Sequence, residues 1–157
     1  MLEKLRKAMK AADIDMLLIP SADPHGSEYP EEYFKARKHF SGFTGSAGTL
    51  LIWQGGAGLW TDGRYFLQAA RQLEGSGIDL FKMREPGVPT VDEFIAENIR
   101  GGVLGADLRT ISASEGMELE KGGAILKDCR SLIDGCWEGR PELSREPAYV
   151  LPMELAG

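Results

Sequence analysis

Three groups of polar and aromatic side chains, each in or beside a predicted loop, are the part of this sequence that could do chemistry. They combine carboxylates, one imidazole, guanidinium groups and aromatic rings, which are side chains that commonly line ligand-binding sites. The groups are Asp23, His25, Glu28 and Tyr29; Arg37, Phe40 and Phe43; and Trp60, Asp62, Arg64 and Tyr65. Spacing alone leaves each group an ordinary structural role, since Asp62 can cap a helix, Arg64 can be solvated and Trp60 can lie in the core.

The glycine-rich segment 42–48 does not have the spacing of a nucleotide-binding loop. Its glycines follow the pattern G-x-x-G-x-x-G and a predicted strand comes next, whereas the dinucleotide fingerprint is G-x-G-x-x-G at the start of a helix. The segment also has no lysine, which a P-loop requires. Ser46 does not stand in the G-x-S-x-G turn of a serine hydrolase. We therefore expect neither nucleotide binding nor serine-hydrolase chemistry here.

Residues that bind metals are few and scattered. The sequence has two histidines and two cysteines, and no clustered metal-ligand motif. Asp23 and His25 lie two residues apart in a loop, a pair that more often caps a turn. Cys129 and Cys136 are too few for a disulfide framework. We expect no native metal site, no hydrolase based on a cysteine, and two reduced, partly buried thiols.

The composition excludes several classes of protein. With 157 residues, 43% of them apolar and 27% charged, the chain has the size and balance of one globular domain. Its formal net charge of −6 argues against nucleic acid or an anionic membrane as a partner. The apolar run 16–19 ends at Pro20, far short of the ~18 residues that a membrane span needs. No apolar stretch follows the basic N-terminus, so we predict a cytoplasmic protein without a signal peptide.

Helical and strand periodicities alternate along the chain. The predicted helices cover about 2–12, a short segment with Tyr33, Phe34 and Arg37, 63–73, 91–99 and 113–122. Capping-box patterns, Thr90 with Glu93 and Ser112 with Glu115, mark the start of the last two. The predicted strands cover 16–19, 49–53, 59–61, 78–83, 103–106 and 132–133. Because 49–61 is expected to form an antiparallel hairpin at Gly55-Gly56, we predict an α/β fold with a mixed β-sheet flanked by helices. The loss of periodicity and the prolines near the end predict a domain over 1–141 and a linker over 142–157.

Three longer runs carry a more specific signal. The segments 20–29 (PSADPHGSEY), 40–49 (FSGFTGSAGT) and 59–70 (LWTDGRYFLQAA) resemble the N-terminal domain of the Xaa-Pro aminopeptidases in both order and spacing. Trp137 and Arg140-Pro141 resemble the end of that domain. The resemblance covers about 1–141, and the loops are more similar to the long form of the family, which has a middle domain.

The resemblance implies a fold and a context. The family is similar to creatinase and prolidase, and its N-terminal domain has a ribonuclease-H-like topology. Its later catalytic domain carries two metal ions, usually manganese, held by two Asp, one His and two Glu. This sequence contains no such set, so we expect a truncated N-terminal domain with no catalytic residue and no activity alone. Its implied partners are a peptide with proline in second position, the middle and catalytic domains, and a second copy of the full-length protein.

One role is implied residue by residue. In the long-form family the arginine of the Trp-Thr-Asp-Gly-Arg-Tyr-Phe motif contacts the peptide, which here is Arg64. Guanidinium suits peptide carbonyls or a terminal carboxylate. His25 and Asp62 are weaker candidates for substrate contact, and we expect Trp60 and Tyr65 to wall the site. The alternative is that Arg64 is a structural residue paired with Asp62 or another carboxylate.

Two further functions stay open from the sequence. The same fold serves as a binding module in creatinase-like proteins that have lost their metals, and the five metal ligands downstream of Gly157 would decide between the two. A small α/β enzyme acting alone is the third possibility, but it needs a catalytic constellation that this sequence does not contain.

Overall fold

The computed structural model of the chain describes residues 1–147 and 149–155, and in them strands and helices alternate as predicted. The strands are β1 Met16–Pro20, β2 Thr49–Trp53, β3 Gly56–Thr61, β4 Asp79–Lys82, β5 Val103–Ala106 and β6 Ile125–Asp128. The helices are α1 Leu2–Ala11, α2 Ala36–Ser41, α3 Phe66–Gln72, α4 Val91–Ile99, α5 Ala113–Lys121 and α6 Arg130–Cys136. Short 3₁₀ helices cover Glu32–Phe34, Leu108–Thr110 and Met153–Leu155.

The six strands form one mixed sheet in the order β4-β3-β2-β1-β5-β6. Strand β2 is antiparallel to both of its neighbours, and the β1–β5, β5–β6 and β3–β4 pairs are parallel. The carboxyl ends of β1, β3, β4, β5 and β6 therefore lie at the same edge of the sheet, where β2 begins. The prediction of a mixed sheet flanked by helices is confirmed.

Helices cover both faces of the sheet because its central strands are apolar on both sides. One core lies under α1, α2, α3 and α6 and includes Leu17, Leu50 and Leu59. The other lies under α4 and α5 and includes Leu51 and Trp60. Strands buried on both faces appear in sequence as continuous apolar runs, which explains the runs in β1 and β2.

Capping boxes begin the two helices on the second face, as the sequence predicts. The Thr90 hydroxyl accepts a hydrogen bond from the backbone N–H of Glu93, whose carboxylate accepts one from the Thr90 N–H. Ser112 and Glu115 repeat this arrangement at the start of α5. Each box satisfies backbone donors that have no partner inside the helix.

The end of the sheet differs from the prediction. Leu132 and Ile133 do not form the last strand but lie in α6, because Ile133 and Cys136 are buried at helical spacing against the first core. The last strand is Ile125–Asp128, which pairs with β5 at the edge of the sheet. This strand is short and mostly exposed, so it has no apolar run to mark it.

Two turns also differ in detail. The β2–β3 hairpin turns at Gln54-Gly55, because Trp53 pairs with Gly56. Helix α3 begins at Phe66 rather than at Gly63, because Asp62 organises a separate turn before it.

Both cysteines are buried in the first core. Burial raises the pKa of each thiol above its ordinary value. A higher pKa lowers the thiolate fraction at neutral pH and with it the reactivity of the thiol.

Helix α6 ends at Cys136, and the chain then continues as the C-terminal segment. The Arg140 guanidinium donates to the Tyr33 carbonyl, 3.0 Å from Nε and 2.7 Å from Nη2. Residues 142–147 and 149–155 are exposed. The division into a domain over 1–141 and a linker over 142–157 stays a prediction, and Ala148, Ala156 and Gly157 fall outside the described residues.

No helix in 1–147 or 149–155 is long and apolar enough to cross a membrane.

Candidate functional site

A cleft of about 800 Å³ opens at the carboxyl edge of the sheet. Its walls come from the loop after β1, the entry to β2, the turn after β3 and the segment between β5 and α5, with the first residues of α4 and α5. Ligands of open α/β sheets bind outside the carboxyl ends of the strands. The cleft therefore occupies the position at which a binding site is expected in this architecture.

Asp62 and Arg64 form a two-pronged ion pair at this edge. Asp62 Oδ1 accepts hydrogen bonds from the Arg64 backbone N–H at 3.0 Å and from Nε at 2.9 Å, and Oδ2 accepts one from Nη2 at 2.8 Å. The Arg64 side chain lines the cleft and is 68% exposed. The hydrogen bonds from Arg64 lower the pKa of Asp62 to about 2, and those to Asp62 raise the pKa of Arg64.

The turn after β3 fixes the position of this pair. Thr61, the last residue of β3, is buried and donates from its hydroxyl to the Ala47 carbonyl at 2.7 Å. Asp62 then accepts from the backbone two residues on, the geometry of an Asx turn, and the Tyr65 N–H donates to the Asp62 carbonyl at 3.0 Å. The side chain of Arg64 thus leaves the sheet edge from a turn that is hydrogen-bonded on both sides.

Tyr65 connects Arg64 to the glycine-rich loop. Its hydroxyl lies 2.8 Å from the Ser46 hydroxyl, and its ring meets the Phe43 ring edge to face at a centroid distance of 5.8 Å. The Arg64 guanidinium carbon lies 5.4 Å from the Tyr65 ring centroid. Tyr65 therefore packs beside Arg64, although it is not among the residues that line the cleft.

Trp60 does not wall the site. It is buried in the second core, stacked on Phe81 at a centroid distance of 3.9 Å, and its Nε1 donates to the Pro89 carbonyl. Neighbouring strand residues point to opposite faces, so Trp60 lies on the face opposite Leu59 and beneath α4. The expectation that Trp60 and Tyr65 wall the site is therefore wrong for Trp60.

Arg37 lies beneath the glycine-rich loop and is only 5% exposed. Its Nε donates to the Ser21 hydroxyl at 2.8 Å, and Nη1 and Nη2 donate to the Phe43 and Gly45 carbonyls at 2.5 Å each. Burial lowers the pKa of Arg37 to about 10, so the side chain stays charged at neutral pH. Within 1–147 and 149–155 this guanidinium has no ion-pair partner, so loop carbonyls and a hydroxyl stabilise its charge.

Most of the remaining candidate residues lie in the loop after β1. Asp23 Oδ1 accepts from the backbone N–H groups of His25 and Ser27, and the Ser27 hydrogen bond is the main cause of a lowered pKa for Asp23. Asp23 and Glu28 line the same cleft as Arg64. His25 is exposed and is not among the residues that line this cleft. Phe40 is buried against Trp137 and takes no part in the site.

A second arginine in the cleft, Arg109, was not identified from the sequence. Asp107 and Arg109 follow β5 at the same spacing at which Asp62 and Arg64 follow β3, and Arg109 lines the cleft. The available signal was the repeated Asp-x-Arg pattern after a short apolar strand.

As for metals, the described residues contain no group of three or more His, Cys, Asp or Glu side chains placed to hold an ion.

A mixed sheet between two helical layers, with polar loops and an aspartate-held arginine at its carboxyl edge, defines an α/β domain with a candidate binding cleft. The chain belongs to the creatinase/prolidase N-terminal domain family, whose model matches residues 1–136.

Curated relatives match almost the whole chain. It is 43% identical to a probable Xaa-Pro aminopeptidase P of Coccidioides posadasii and 42% identical to that of Tuber melanosporum, each over 99% of this chain. In both cases the match covers only 26% of the relative, so the chain spans about a quarter of their length.

Solved structures have the same fold. An X-prolyl aminopeptidase from Caenorhabditis elegans, described as a cytosolic enzyme with a dinuclear active site, matches with a TM-score of 0.84 and 33% identity over 98% of this chain and 27% of its own. The N-terminal domain of the cytoplasmic peptidase PepQ from Mycobacterium tuberculosis H37Rv matches with a TM-score of 0.62 and 22% identity. That match covers 87% of this chain and 97% of the other, and at this identity it shows a common fold alone.

Proposed function

We propose that the chain is the N-terminal, non-catalytic domain of a Xaa-Pro aminopeptidase, an enzyme that removes the residue preceding proline at the start of a peptide. The observation that carries this proposal is the match of 99% of the chain, at 43% identity, to about a quarter of a probable Xaa-Pro aminopeptidase P. In this proposal the metal chemistry takes place outside the chain, in a catalytic domain with two divalent ions, manganese by family resemblance. Such ions activate water and polarise the scissile carbonyl.

The cleft supports a role of the domain in contacting the peptide. Arg64 stands 68% exposed at its wall, and no hydrogen bond within the described residues uses its Nη1. Two N–H donors held in a fixed orientation suit the carbonyl oxygens of a peptide main chain. We therefore assign Arg64 to contact with the bound peptide and Asp62 to holding it in place. His25 remains a weaker candidate, since it is exposed in the loop beside the cleft.

The remaining parts of the proposal concern the assembly. The domain covers the active-site cleft, packs against the middle and catalytic domains of its own chain, and supports a homodimer of the full-length protein. A cytoplasmic location is supported by the description of the C. elegans enzyme as cytosolic.

The complete reading frame and an activity assay test this function together. We expect two Asp, one His and two Glu downstream, and full-length protein with manganese should release Xaa from a peptide Xaa-Pro-Yaa. The 157-residue chain under the same conditions should release none. A downstream region without these ligands would favour the binding-module function. Turnover by the chain alone that survives repurification would contradict a non-catalytic domain.

A further inference from the structure

Arg109 is held in the same way as Arg64. Asp107 Oδ1 accepts hydrogen bonds from the Arg109 backbone N–H at 3.1 Å and from Nε at 3.0 Å, and Oδ2 accepts one from Nη2 at 2.7 Å. Asp62 makes the same three contacts with Arg64. In the part of the chain that the structure describes, no hydrogen bond uses Nη1 of either arginine, and both arginines line the cleft.

The surroundings hold Arg109 more firmly. Its Nη2 also donates to the Tyr33 hydroxyl at 3.3 Å, and its guanidinium carbon lies 5.4 Å from the Tyr33 ring centroid and 5.3 Å from that of Phe34. The side chain is 28% exposed, against 68% for Arg64. A donor that is already fixed loses little conformational freedom when it binds a ligand.

The sheet sets the distance between the two pairs. Arg64 follows β3 and Arg109 follows β5, and β2 and β1 lie between these strands. At the usual spacing of neighbouring strands the two strand ends are about 14 Å apart. An extended peptide covers that distance with about four residues.

The charge of the cleft favours a main chain over an anion. Each guanidinium is already neutralised by its aspartate, so each pair presents donors without net positive charge. Glu28, Asp92 and Glu115 also line the cleft and would repel a carboxylate or phosphate. Carbonyl oxygens of an extended peptide fit such donors, because they accept hydrogen bonds without bringing charge.

We propose that Arg109 is a second peptide-contacting residue, and that Arg64 and Arg109 together bind the main chain of an extended peptide of about four or more residues. This inference rests on the proposed function and adds a length requirement to it. The side-chain sequence of the peptide beyond its Xaa-Pro start contributes little to this contact.

Nuclear magnetic resonance on the ¹⁵N-labelled chain tests the inference without a variant. The probes are the amides Ala-Pro-NH₂ and Ala-Pro-Ala-Ala-Ala-NH₂ at millimolar concentration. We expect the pentapeptide to shift the Nε–H resonances of both Arg64 and Arg109, and the dipeptide to shift at most that of Arg64. Pentapeptide shifts at Arg64 without Arg109 would overturn this inference and leave the proposed function standing. Absence of shifts at both would count against both.

Two variants provide a second test of the inference. Arg109→Met should weaken pentapeptide binding about tenfold, the effect of one lost hydrogen bond to a charged donor, and leave dipeptide binding unchanged. Arg130→Met is the matched control, because Arg130 is paired with Asp128, the last residue of β6, at the same Asp-x-Arg spacing and does not line the cleft. Equal weakening by both variants, in proteins that keep a dispersed spectrum, would overturn the inference.

Discussion

Asp62 holds Arg64 at the wall of the cleft through both of its carboxylate oxygens, and no hydrogen bond among residues 1–147 and 149–155 uses Nη1 of the guanidinium. The ion pair that the sequence offered as the alternative to a peptide contact is therefore present. It does not compete with that contact, because the pair uses Nε and Nη2 and fixes the direction of the remaining donors. Contact between Arg64 and a peptide stays a proposal.

The first prediction concerns the titration of Asp62. Because Arg64 lowers the pKa of Asp62 to about 2, below the ordinary 3.8, the pair stabilises the folded state above pH 3.8. That contribution is lost as the pH falls from 3.8 to about 2. In Arg64→Met, the carboxyl resonance of Asp62 should titrate at a higher pH than in the wild type, as measured by nuclear magnetic resonance, because the side-chain hydrogen bonds are lost while the backbone N–H of residue 64 still donates. A midpoint that stays near 2 in the variant would mean that another group holds the carboxylate.

The second prediction concerns Arg37. Arg37→Met should destabilise the chain by about 2–4 kcal/mol, because two buried carbonyls and the Ser21 hydroxyl lose their donors. Arg37→Lys should recover less than half of the loss, since one ammonium group cannot reach three acceptors placed around a planar fork. Urea unfolding measures both variants. Arg71→Met, at an exposed position of α3, is the control and should change the free energy of unfolding little. An Arg37→Met variant as stable as the wild type would contradict a structural role for this buried charge.

The third prediction concerns Gly45. A Cβ at this position would overlap the Phe43 ring and lie 2.8 Å from Cδ1 of Tyr65. Phe43 is fully buried, so the rings cannot both keep their places. Gly45→Ala should cost about 1–3 kcal/mol, the range for overpacking, and should move the Tyr65 and Arg64 resonances. Gly135→Ala in α6 has open space and should be neutral or slightly stabilising. Unchanged Tyr65 resonances in Gly45→Ala would show that the loop does not position the site.

Most of the fold could be predicted because the local signals agree with the tertiary structure. The two capping boxes, the apolar runs of β1 and β2 and the hairpin that makes the sheet mixed are all confirmed. The prediction failed at β6 and α6, where the strand gains its stability from pairing with β5 rather than from its own residues. A two-residue apolar pair such as Leu132-Ile133 does not distinguish a strand from a helix.

The site could be predicted only in part. The contact between Asp62 and Arg64 follows from their spacing, because two residues apart in a turn a carboxylate reaches both the backbone and the side chain. The inclusion of Asp23 and Glu28 in the same cleft does not follow from spacing, since it depends on the strand order. Arg109 was missed for the same reason, as β5 joins β1 across a long stretch of sequence.

The most direct test of the account is the specificity constant of Arg64→Ala in the full-length protein, measured with a proline-containing pentapeptide alongside the melting temperature. We predict that kcat/KM falls about tenfold to a hundredfold, the cost of a lost charged hydrogen bond, while the melting temperature stays near wild type because exposed ion pairs contribute little. Arg130→Ala, outside the cleft, should change neither. A variant at Arg64 that unfolds early yet keeps a normal kcat/KM at low temperature would contradict the account and leave Arg64 as a structural partner of Asp62.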